Sequence, residues 1–336
     1  MTVVSTPARR ESTQVADEAL TRAKGRVTPA LEAAVMRLCP QLVPAVSEHL
    51  AGGGKFVRAG LVLTSAAACG AEDGAGVVGG VAIELVHNFS LVHDDIIDGD
   101  LERRHRPTVW AAHGVGHAII AGDALATLAF QILLEDPTPE RVRAAGRLAR
   151  ATQAMIAGQA EDMASELLVS LSVEECLQMG AGKTGALLSC AAAMGAILAG
   201  APASSVEALA EFGRHLGIAF QAIDDVLGVW GEPAVTGKAV GNDLRQHKKT
   251  LPVALALARG GEAATSLERL LEGEMGEAEI DRATSLLEQC GAREETMAIG
   301  ESQLAAALAS LERVPLELGP RAELAAIARY VTARDR

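Results

Sequence analysis

The sequence predicts an all-α fold, and three observations support this prediction. Hydrophobic residues make up 49% of the 336 residues but aromatic residues only 2%, so the core must be built from Ala, Leu, Val and Ile, which pack closely between helices. Apolar residues recur with the period of a helix, and no convincing run of strict alternation indicates a strand. Helix start and end signals punctuate the chain at short intervals.

The start signals mark three helices in order. A Ser or Thr followed by Pro at the first helical position, or by Glu three residues later, is typical of a helix N-terminus. These pairs are Thr138–Pro139, Ser172–Glu175 and Ser204–Glu207. Glycines at 52 to 54 and at 260 to 261 indicate helix ends.

The chain shows no Pro/Ser-rich linker and no abrupt shift in composition. We therefore predict one large all-α domain over residues 19–336. The first residues are polar and contain no apolar core of signal-peptide length, so we predict a flexible tail over residues 1–18.

Charge and cysteine content exclude several classes of protein. The net charge is −13 and no basic stripe with interleaved aromatics occurs, so we expect no nucleic-acid partner. The five cysteines are scattered without CxxC spacing, which suits a reducing cytoplasm and no structural zinc. Residues 184–206 carry no charge, but their Ala, Gly and Ser content and Pro202 indicate a buried helix and a turn. We therefore expect no membrane span.

Two Asp-Asp pairs, Asp94–Asp95 and Asp224–Asp225, each follow an apolar helical stripe. Asp98 lies one turn after Asp94 on the same helix face. A helix end that meets water is the simpler explanation for one such cluster, but the repetition weakens it. Close carboxylates repel one another, and Mg²⁺, which takes one or two carboxylates plus phosphate oxygens, offsets that repulsion. The paired motif therefore favours a site for Mg²⁺ and a diphosphate.

Basic side chains stand in or beside Gly-containing segments that we expect to be turns near helix ends. There, a backbone approaches phosphate closely and a cation reaches it. These side chains are Lys55, Arg58, Lys183, Lys238, Lys248 and Lys249. Each alone is explained by a solvated surface, but together they outline two anion pockets. The GAGKTG segment does not fit a nucleotide-binding P-loop, because Leu177 stands where that motif needs its first Gly and no strand precedes it.

The order of these motifs resembles the polyprenyl synthetase family, the trans-isoprenyl diphosphate synthases. The matching segments, from about residue 50 to residue 255, are GGKFVR, ELVHNFSLVHDDIIDGDLERRHRPT, AIIAGDAL, GQAEDM, GKTG, FQAIDDVLG, TGKAVGNDL and KKTLP. The resemblance implies antiparallel helices around a central apolar cavity, a homodimer, and Mg²⁺, as three ions, at the cavity mouth. Its substrates would be isopentenyl diphosphate and an allylic prenyl diphosphate.

The resemblance also implies a role for each matched residue. Metal ligands would be Asp94, Asp95, Asp98 and Asp224, with Asp225 beside the last. The allylic diphosphate would contact Arg103, Lys183 and Lys238, and isopentenyl diphosphate would contact Lys55, Arg58, His87 and Arg104. Gln221 and the Thr184 hydroxyl would direct dipoles toward a developing carbocation, and Lys248 would close over the site. Gln159 and Asp162 are either supporting residues or partners in a hydrogen bond between helices.

The implied reaction is chemically consistent with these residues. Mg²⁺ would neutralise the departing diphosphate. The isopentenyl double bond would attack the allylic cation, and an apolar cavity would keep water away from it.

Three positions depart from the family pattern. Gly228 stands where a third acid of the second motif is often found, which removes one potential metal ligand or water anchor. Phe56 stands where many relatives carry Arg, and His105 where Gly is frequent. We expect activity to survive, because Asp224 and Asp225 remain.

Product length is predicted from the helix that carries the first acid motif. Phe89 lies five residues before Asp94, about 7.5 Å deeper along the helix axis, and the small Ser90 lies one turn below Asp94. A growing chain would pass Ser90 and stop near Phe89, although Phe89 also fits a plain core position. An aromatic residue here is similar to family members that make C20 geranylgeranyl diphosphate, and C15 farnesyl diphosphate is the nearest alternative.

Two other classes remain. A terpene cyclase on the same fold would not need the isopentenyl pocket of Lys55, Arg58, His87 and Arg104. A noncatalytic partner subunit would be expected to have eroded acid motifs, whereas DDIID is intact and only Gly228 departs from the second motif.

Overall fold

The computed structural model describes residues 7–72, 74–165, 168, 170–231 and 240–333. Within those ranges helices dominate, and the strands are a single antiparallel hairpin of β1 (Glu102–Arg103) and β2 (Arg106–Pro107). The predicted all-α fold class is confirmed.

The helices of the described ranges vary from four to 29 residues in length. They are α1 (Pro7–Val35), α2 (Val43–Ala51), α3 (Val57–Ala68), α4 (Val77–Ile97), α5 (Val109–His113), α6 (Val115–Leu134), α7 (Pro139–Ser165), α8 (Val173–Gly180), α9 (Ala186–Leu198), α10 (Ala203–Trp230), α11 (Asn242–Arg245), α12 (Leu251–Arg259), α13 (Gly261–Leu271), α14 (Glu277–Gln289), α15 (Ala292–Leu311) and α16 (Leu318–Thr332).

The predicted helix starts are found close to their expected positions. α7 begins at Pro139, and α10 begins at Ala203, one residue before the predicted cap. Before α8, the Ser172 side chain accepts a hydrogen bond from the Glu175 backbone N–H, and the Glu175 carboxylate accepts one from the Ser172 backbone N–H. This reciprocal capping box fixes the start of α8.

The prediction of a turn at the GAGKTG segment is wrong. Residues Ala181–Gly185 form a π-helical turn that joins α8 directly to α9. Its glycines permit close packing rather than a chain reversal: a Cβ on Gly217 of α10 would lie 2.3 Å from the Gly185 Cα. Single π-helical turns of this kind occur frequently at functional sites.

The chain divides into two compact units. The first unit comprises Met1–Thr152, Cys190–Ala210 and Leu311–Ile327, and the second comprises Gln153–Ser189, Glu211–Ser310 and Ala328–Arg336. The expectation of one domain over residues 19–336 stays a prediction.

The predicted flexible tail over residues 1–18 requires a correction. Residues 1–6 lie outside the described part of the chain, but α1 begins at Pro7, and Ala16 is fully buried. Between its polar residues this segment carries the start of a buried apolar stripe, which begins at Ala16 and continues through Leu20, Ala23 and Val27 at helical spacing. Residues 7–18 are therefore helical.

Each unit has its own apolar core. In the first unit α4 packs against α3 and α6 and buries Val81, Ile83 and Leu85. In the second unit α10, α12 and α14 share a cluster that includes Val229, Leu251 and Leu287. Aliphatic side chains fill both cores, as the composition predicts.

Two helical segments, Val115–Leu134 and Val173–Leu198, are long and apolar enough to cross a membrane by length and composition. The apolar window of the second is 61% buried inside the fold. In α9 the residues from Ala191 to Ala193 are fully buried, and Gly200 then takes a left-handed conformation, with φ of 68°, before α10. The uncharged segment over residues 184–206 is therefore a largely buried helix followed by a turn, as predicted.

Candidate active site

The first acid motif stands at the C-terminal end of α4. Asp94 and Asp98 are partly exposed, whereas Asp95 is fully buried. A helix C-terminus carries partial negative charge, so three carboxylates there are unfavourable unless cations offset them. One cation comes from the hairpin: Arg103 Nε donates to Asp95 Oδ1 at 2.7 Å.

Asp95 is incompletely satisfied by this contact. Its Oδ2 is buried and has no hydrogen-bond partner among the described residues. Burial raises the pKa of Asp95, and Arg103 opposes that rise. An unsatisfied buried carboxylate oxygen costs about 1–3 kcal/mol or more, so this end of α4 fits a further cation.

The residues predicted to hold isopentenyl diphosphate meet in the first unit. Arg58 Nη1 lies 3.2 Å from His87 Nε2, and the Arg104 guanidinium packs against Gly54, next to the exposed Lys55. Their role in binding isopentenyl diphosphate stays a prediction.

The electrostatics of this cluster suit the binding of an anion. Burial and the nearby Arg58 hold the pKa of His87 well below its usual value, so the imidazole is neutral and acts as a hydrogen-bonding group. Burial, and then Arg103, lowers the pKa of Arg104. Arg58 Nε is buried without a hydrogen-bond partner in the described structure. A phosphate would satisfy these donors and relieve their mutual repulsion.

Two residues of this cluster were missed in the sequence. Glu84 is buried on α4, accepts a hydrogen bond from the Ala59 backbone N–H at 3.1 Å, and interacts electrostatically with Arg58. His49 is held neutral, with a pKa of about 4, by burial and by Arg103 and Arg104. Glu84 lies one turn before His87 on the same face, which is the signal that could have found it; nothing in the local sequence marks His49.

Both Phe56 and His105, which depart from the family pattern, stand in unusual backbone conformations. Phe56, Arg104 and His105 have φ values of 51°, 54° and 60°, in the left-handed region that favours glycine. A glycine at position 105 would adopt this conformation without strain. Neither departure displaces Arg58 or Arg104 from the cluster.

The second unit contains a continuous hydrogen-bonded chain. Thr184 Oγ1 donates to Gln221 Oε1 at 2.8 Å, and Gln221 Nε2 donates to Asp225 Oδ1 at 2.8 Å. Asp225 Oδ2 accepts from the Leu251 backbone N–H at 3.0 Å. These hydrogen bonds fix the orientation of the Gln221 amide. Asp225 is buried, while Asp224, one position earlier, is exposed.

Burial raises the pKa of Asp225 to about 7, against the lowering effect of the Leu251 and Gln221 hydrogen bonds. The charges of Asp243 and Asp224 also raise it. The Asp225 carboxyl group is thus fixed by hydrogen bonds inside the protein, and Asp224 is the member of the pair that faces solvent.

Lys183 is held by a residue that the sequence indicated only as a supporting candidate. Its Nζ lies 2.6 Å from Asp162 Oδ2. The absence of a side chain at Gly158 lets the π-helical turn pack closely, because a Cβ on Gly158 would lie 2.5 Å from the Lys183 backbone nitrogen. Asp162 therefore orients Lys183. Gln159 Oε1 is buried without a hydrogen-bond partner in the described structure.

The remaining predicted residues lie after α10. Lys238 falls outside the described residues. Lys248 is partly exposed and its backbone N–H donates to the Asp243 carbonyl at 2.9 Å. Lys249, beside it, is buried.

The residues of the acid motifs fit Mg²⁺ rather than a metal with a complete protein cage. Among the described residues no three His, Cys, Asp or Glu side chains form a ready metal-binding group. Mg²⁺ retains several waters and uses one or two carboxylates together with substrate phosphate oxygens. Partly exposed Asp94 and Asp98, and exposed Asp224, suit this mode of binding.

Comparison with known proteins identifies the family. The family model described as polyprenyl synthetase matches residues 40–288, a range that contains both acid motifs and every predicted site residue. The chain belongs to the polyprenyl synthetase family. It is a prenyltransferase of the trans-isoprenyl diphosphate synthase type, and members of this family use Mg²⁺.

Relatives of both product classes are equally similar. The (2E,6E)-farnesyl diphosphate synthase of Mycobacterium tuberculosis strain H37Rv is 42% identical over 325 residues, covering 92% of this chain and 90% of the relative. The geranylgeranyl diphosphate synthase of the same strain is 42% identical over 307 residues, covering 87% of each chain. A polyprenyl synthetase from Streptomyces coelicolor A3(2) superposes with a TM-score of 0.90 at 44% identity, covering 94% of this chain and 99% of that one.

Proposed function

We propose that this polyprenyl synthetase is a Mg²⁺-dependent geranylgeranyl diphosphate synthase, which condenses isopentenyl diphosphate with allylic diphosphates to a C20 product. The observation that carries the proposal is the position of Ser90 and Phe89 on α4. Ser90 lies one turn below Asp94 on the same face, and its hydroxyl is bound to the His87 carbonyl at 2.9 Å. A small side chain with a satisfied hydroxyl leaves room for an apolar chain directly below the acid motif.

Phe89 supports a floor at greater depth. Its ring is only 9% exposed, and it lies five residues, about 7.5 Å, before Asp94. A shorter product would be favoured by a bulky side chain nearer the acid motif, and Ser90 does not supply one. The farnesyl alternative nevertheless rests on a specific observation, the 42% identity to a farnesyl diphosphate synthase.

We assign the diphosphate-binding roles to the basic side chains of the family motifs. Arg103 uses Nε for Asp95, so both Nη groups remain for the allylic diphosphate. Lys183, oriented by Asp162, adds a further cation for the same group, and Lys238 a third. Lys55, Arg58, Arg104 and neutral His87 would bind isopentenyl diphosphate.

The acid motifs would hold the metal. Asp94, Asp98 and Asp224 are assigned as ligands of Mg²⁺, which when bound neutralises negative charge on the diphosphate leaving group. Asp95 is also assigned as a ligand: its Oδ1 accepts from Arg103, and its Oδ2 has no hydrogen-bond partner among the described residues. Gln221 and Thr184 form a fixed dipole pair for the developing positive charge, and Lys248 closes over the site.

We also propose a homodimer in the cytoplasm. On α6 the apolar side chains Val115, Ile119 and Ile120 are 46%, 44% and 58% exposed. An apolar helix face of this kind is typical of a surface that a second subunit covers. All five cysteines are free, as expected in a reducing compartment.

The test is incubation of the purified protein with Mg²⁺, isopentenyl diphosphate and each allylic primer in turn, with products identified by mass. Reactions without isopentenyl diphosphate are the control. A C20 product supports the proposal, and a C15 end point overturns the product length but not the enzyme class. A cyclic hydrocarbon formed without consumption of isopentenyl diphosphate would overturn the synthase proposal and show that the protein is a terpene cyclase.

A further inference from the structure

Gly228 and Asp243 are in unusually close contact. Gly228 lies one helical turn after Asp224 on α10, where the sequence lacks a third acid. A Cβ at Gly228 would lie 1.9 Å from Asp243 Oδ2 and 2.5 Å from Asp243 Cγ. The carboxylate of Asp243 therefore fills the volume that a side chain at position 228 would occupy.

This contact determines where the Asp243 carboxylate lies relative to Asp224. Residues four apart on a helix project from the same face, with Cβ atoms about 5–6 Å apart. A carboxylate at the Cβ position of residue 228 is thus one turn from Asp224, as Asp98 is from Asp94. Asp243 belongs to the short helix α11, which begins after Gly241 in the left-handed conformation with φ of 66°.

We propose that Asp243 supplies the third carboxylate of the second acid motif, from a separate segment of the chain, and holds Mg²⁺ directly or through a bound water together with Asp224. The assignment rests on the proposed function, because it requires Mg²⁺ and a diphosphate at this motif. The glycine at position 228 is then a necessity of the arrangement, since any side chain there would expel Asp243.

Asp225 is not available for this role. Both of its oxygens accept hydrogen bonds, from Gln221 and from the Leu251 backbone N–H, and the residue is buried. Asp243 and Asp224 each raise the pKa of Asp225, so both carboxylates lie near enough to Asp225 to act on it electrostatically. Carboxylates that act on one another in this way are destabilising, and a divalent cation is the usual compensation.

A purely structural role for the Asp243 carboxylate predicts different behaviour. The main chain of Asp243 already accepts a hydrogen bond from Lys248 at 2.9 Å, and this bond survives replacement of the side chain. Asp243→Asn preserves the size of the side chain and removes its charge, so it separates metal binding from packing. The reciprocal variant is the double substitution Gly228→Asp with Asp243→Gly, which moves the carboxylate onto α10.

The experiment measures binding of Mn²⁺, in place of Mg²⁺, to the full-length protein by electron paramagnetic resonance in the presence of inorganic pyrophosphate. Asp243→Asn is expected to weaken Mn²⁺ binding by about 10- to 100-fold, the usual loss when one partner of a metal site is removed. The double variant is expected to recover most of this loss. Asp281→Asn, an exposed acid on α14, is the matched control and should bind as wild type does.

The outcomes distinguish the two proposals. If wild type binds Mn²⁺ and pyrophosphate but Asp243→Asn binds them equally well, the assignment of Asp243 is overturned and the proposed function stands. If wild type binds them no better than Asp224→Asn does, the second acid motif is not a metal site and both proposals fail. A third outcome is that Asp243→Asn weakens Mn²⁺ binding but the folded double variant does not restore it. That result would overturn the claim that the Asp243 carboxylate takes the place of an acid at position 228.

Discussion

The Phe89 ring meets the His93 imidazole edge to face, with ring centroids 5.0 Å apart and planes inclined by 75°. The two residues are one helical turn apart on α4. His93 Nε2 in turn lies 3.1 Å from the Ile119 carbonyl oxygen, so the imidazole donates a hydrogen bond to α6. The proposed floor is therefore a pair of rings anchored to a neighbouring helix, and not an isolated aromatic side chain.

Removal of the aromatic ring tests the floor. Phe89→Ala is expected to extend the main product by at least one isoprene unit, because the ring limits the depth available to the chain. Truncation of a buried Phe to Ala typically costs about 3–5 kcal/mol of unfolding free energy, so products are compared by mass at a temperature where the variant remains folded. Phe89→Leu keeps more of the packing and should change the product less. An unchanged product for Phe89→Ala would place the limit at another residue.

The contact between α4 and α6 gives a second prediction about product length. A Cβ at Gly122 would lie 2.2 Å from His93 Nε2, so Gly122→Ala forces the imidazole to move and releases its support of Phe89. We expect a broader product distribution with a longer mean chain, measured by mass spectrometry of the extracted products.

Gly116→Ala is the matched control for this substitution. Gly116 lies on the same helix, and a Cβ there meets nothing within 4 Å. If Gly122→Ala and Gly116→Ala give the same products as wild type, the His93 anchor plays no part in chain length.

The ion pair between Lys183 and Asp162 predicts a defect in the binding of the allylic substrate. Lys183→Met keeps the length of the side chain and removes its charge, so kcat/KM for the allylic diphosphate should fall by about 10- to 100-fold, the equivalent of one charge-assisted hydrogen bond. Asp162→Asn leaves the Lys183 charge in place and should have a smaller effect, mainly through loss of orientation. Steady-state kinetics with each substrate varied in turn measures both.

Glu312→Gln provides the comparison, because its pair with Arg321, at 2.7 Å, is exposed and exposed pairs contribute about 0–1 kcal/mol to stability. An equal fall in kcat/KM for both substrates in Lys183→Met would contradict a role specific to the allylic diphosphate.

Much of the fold and of the site could be predicted from local patterns, and the contacts that were missed have a common cause. The capping box of Ser172 and Glu175 and the acids at the end of α4 depend on residues within one turn of each other, and both are found as predicted. The contacts of Lys183 with Asp162 and of Gly228 with Asp243 join separate segments. Helical periodicity gives the direction of a side chain from its own helix but not which segment it meets, and the same limit hid His49 in the basic cluster.

His49 gives a prediction about the pH dependence of stability. Its pKa is about 4 in the folded protein against about 6.5 in an unfolded chain. The unfolded state therefore binds more protons between these values, so the free energy of unfolding rises from about pH 4 to about pH 6.5 and this contribution is constant above that range. His87, whose pKa is lowered in the same direction, adds to the slope.

His49→Gln should flatten this part of the profile, because glutamine does not titrate. The measurement is urea unfolding of wild type and variant at several values between pH 4.5 and 7.5. The difference in unfolding free energy between the two proteins should change up to about pH 6.5 and be constant above it. Pyrophosphate should reduce the slope in wild type, since a bound anion offsets the Arg103 and Arg104 charges that, after burial, lower the His49 pKa. Parallel profiles for the two proteins would show that His49 is protonated equally in the folded and unfolded states.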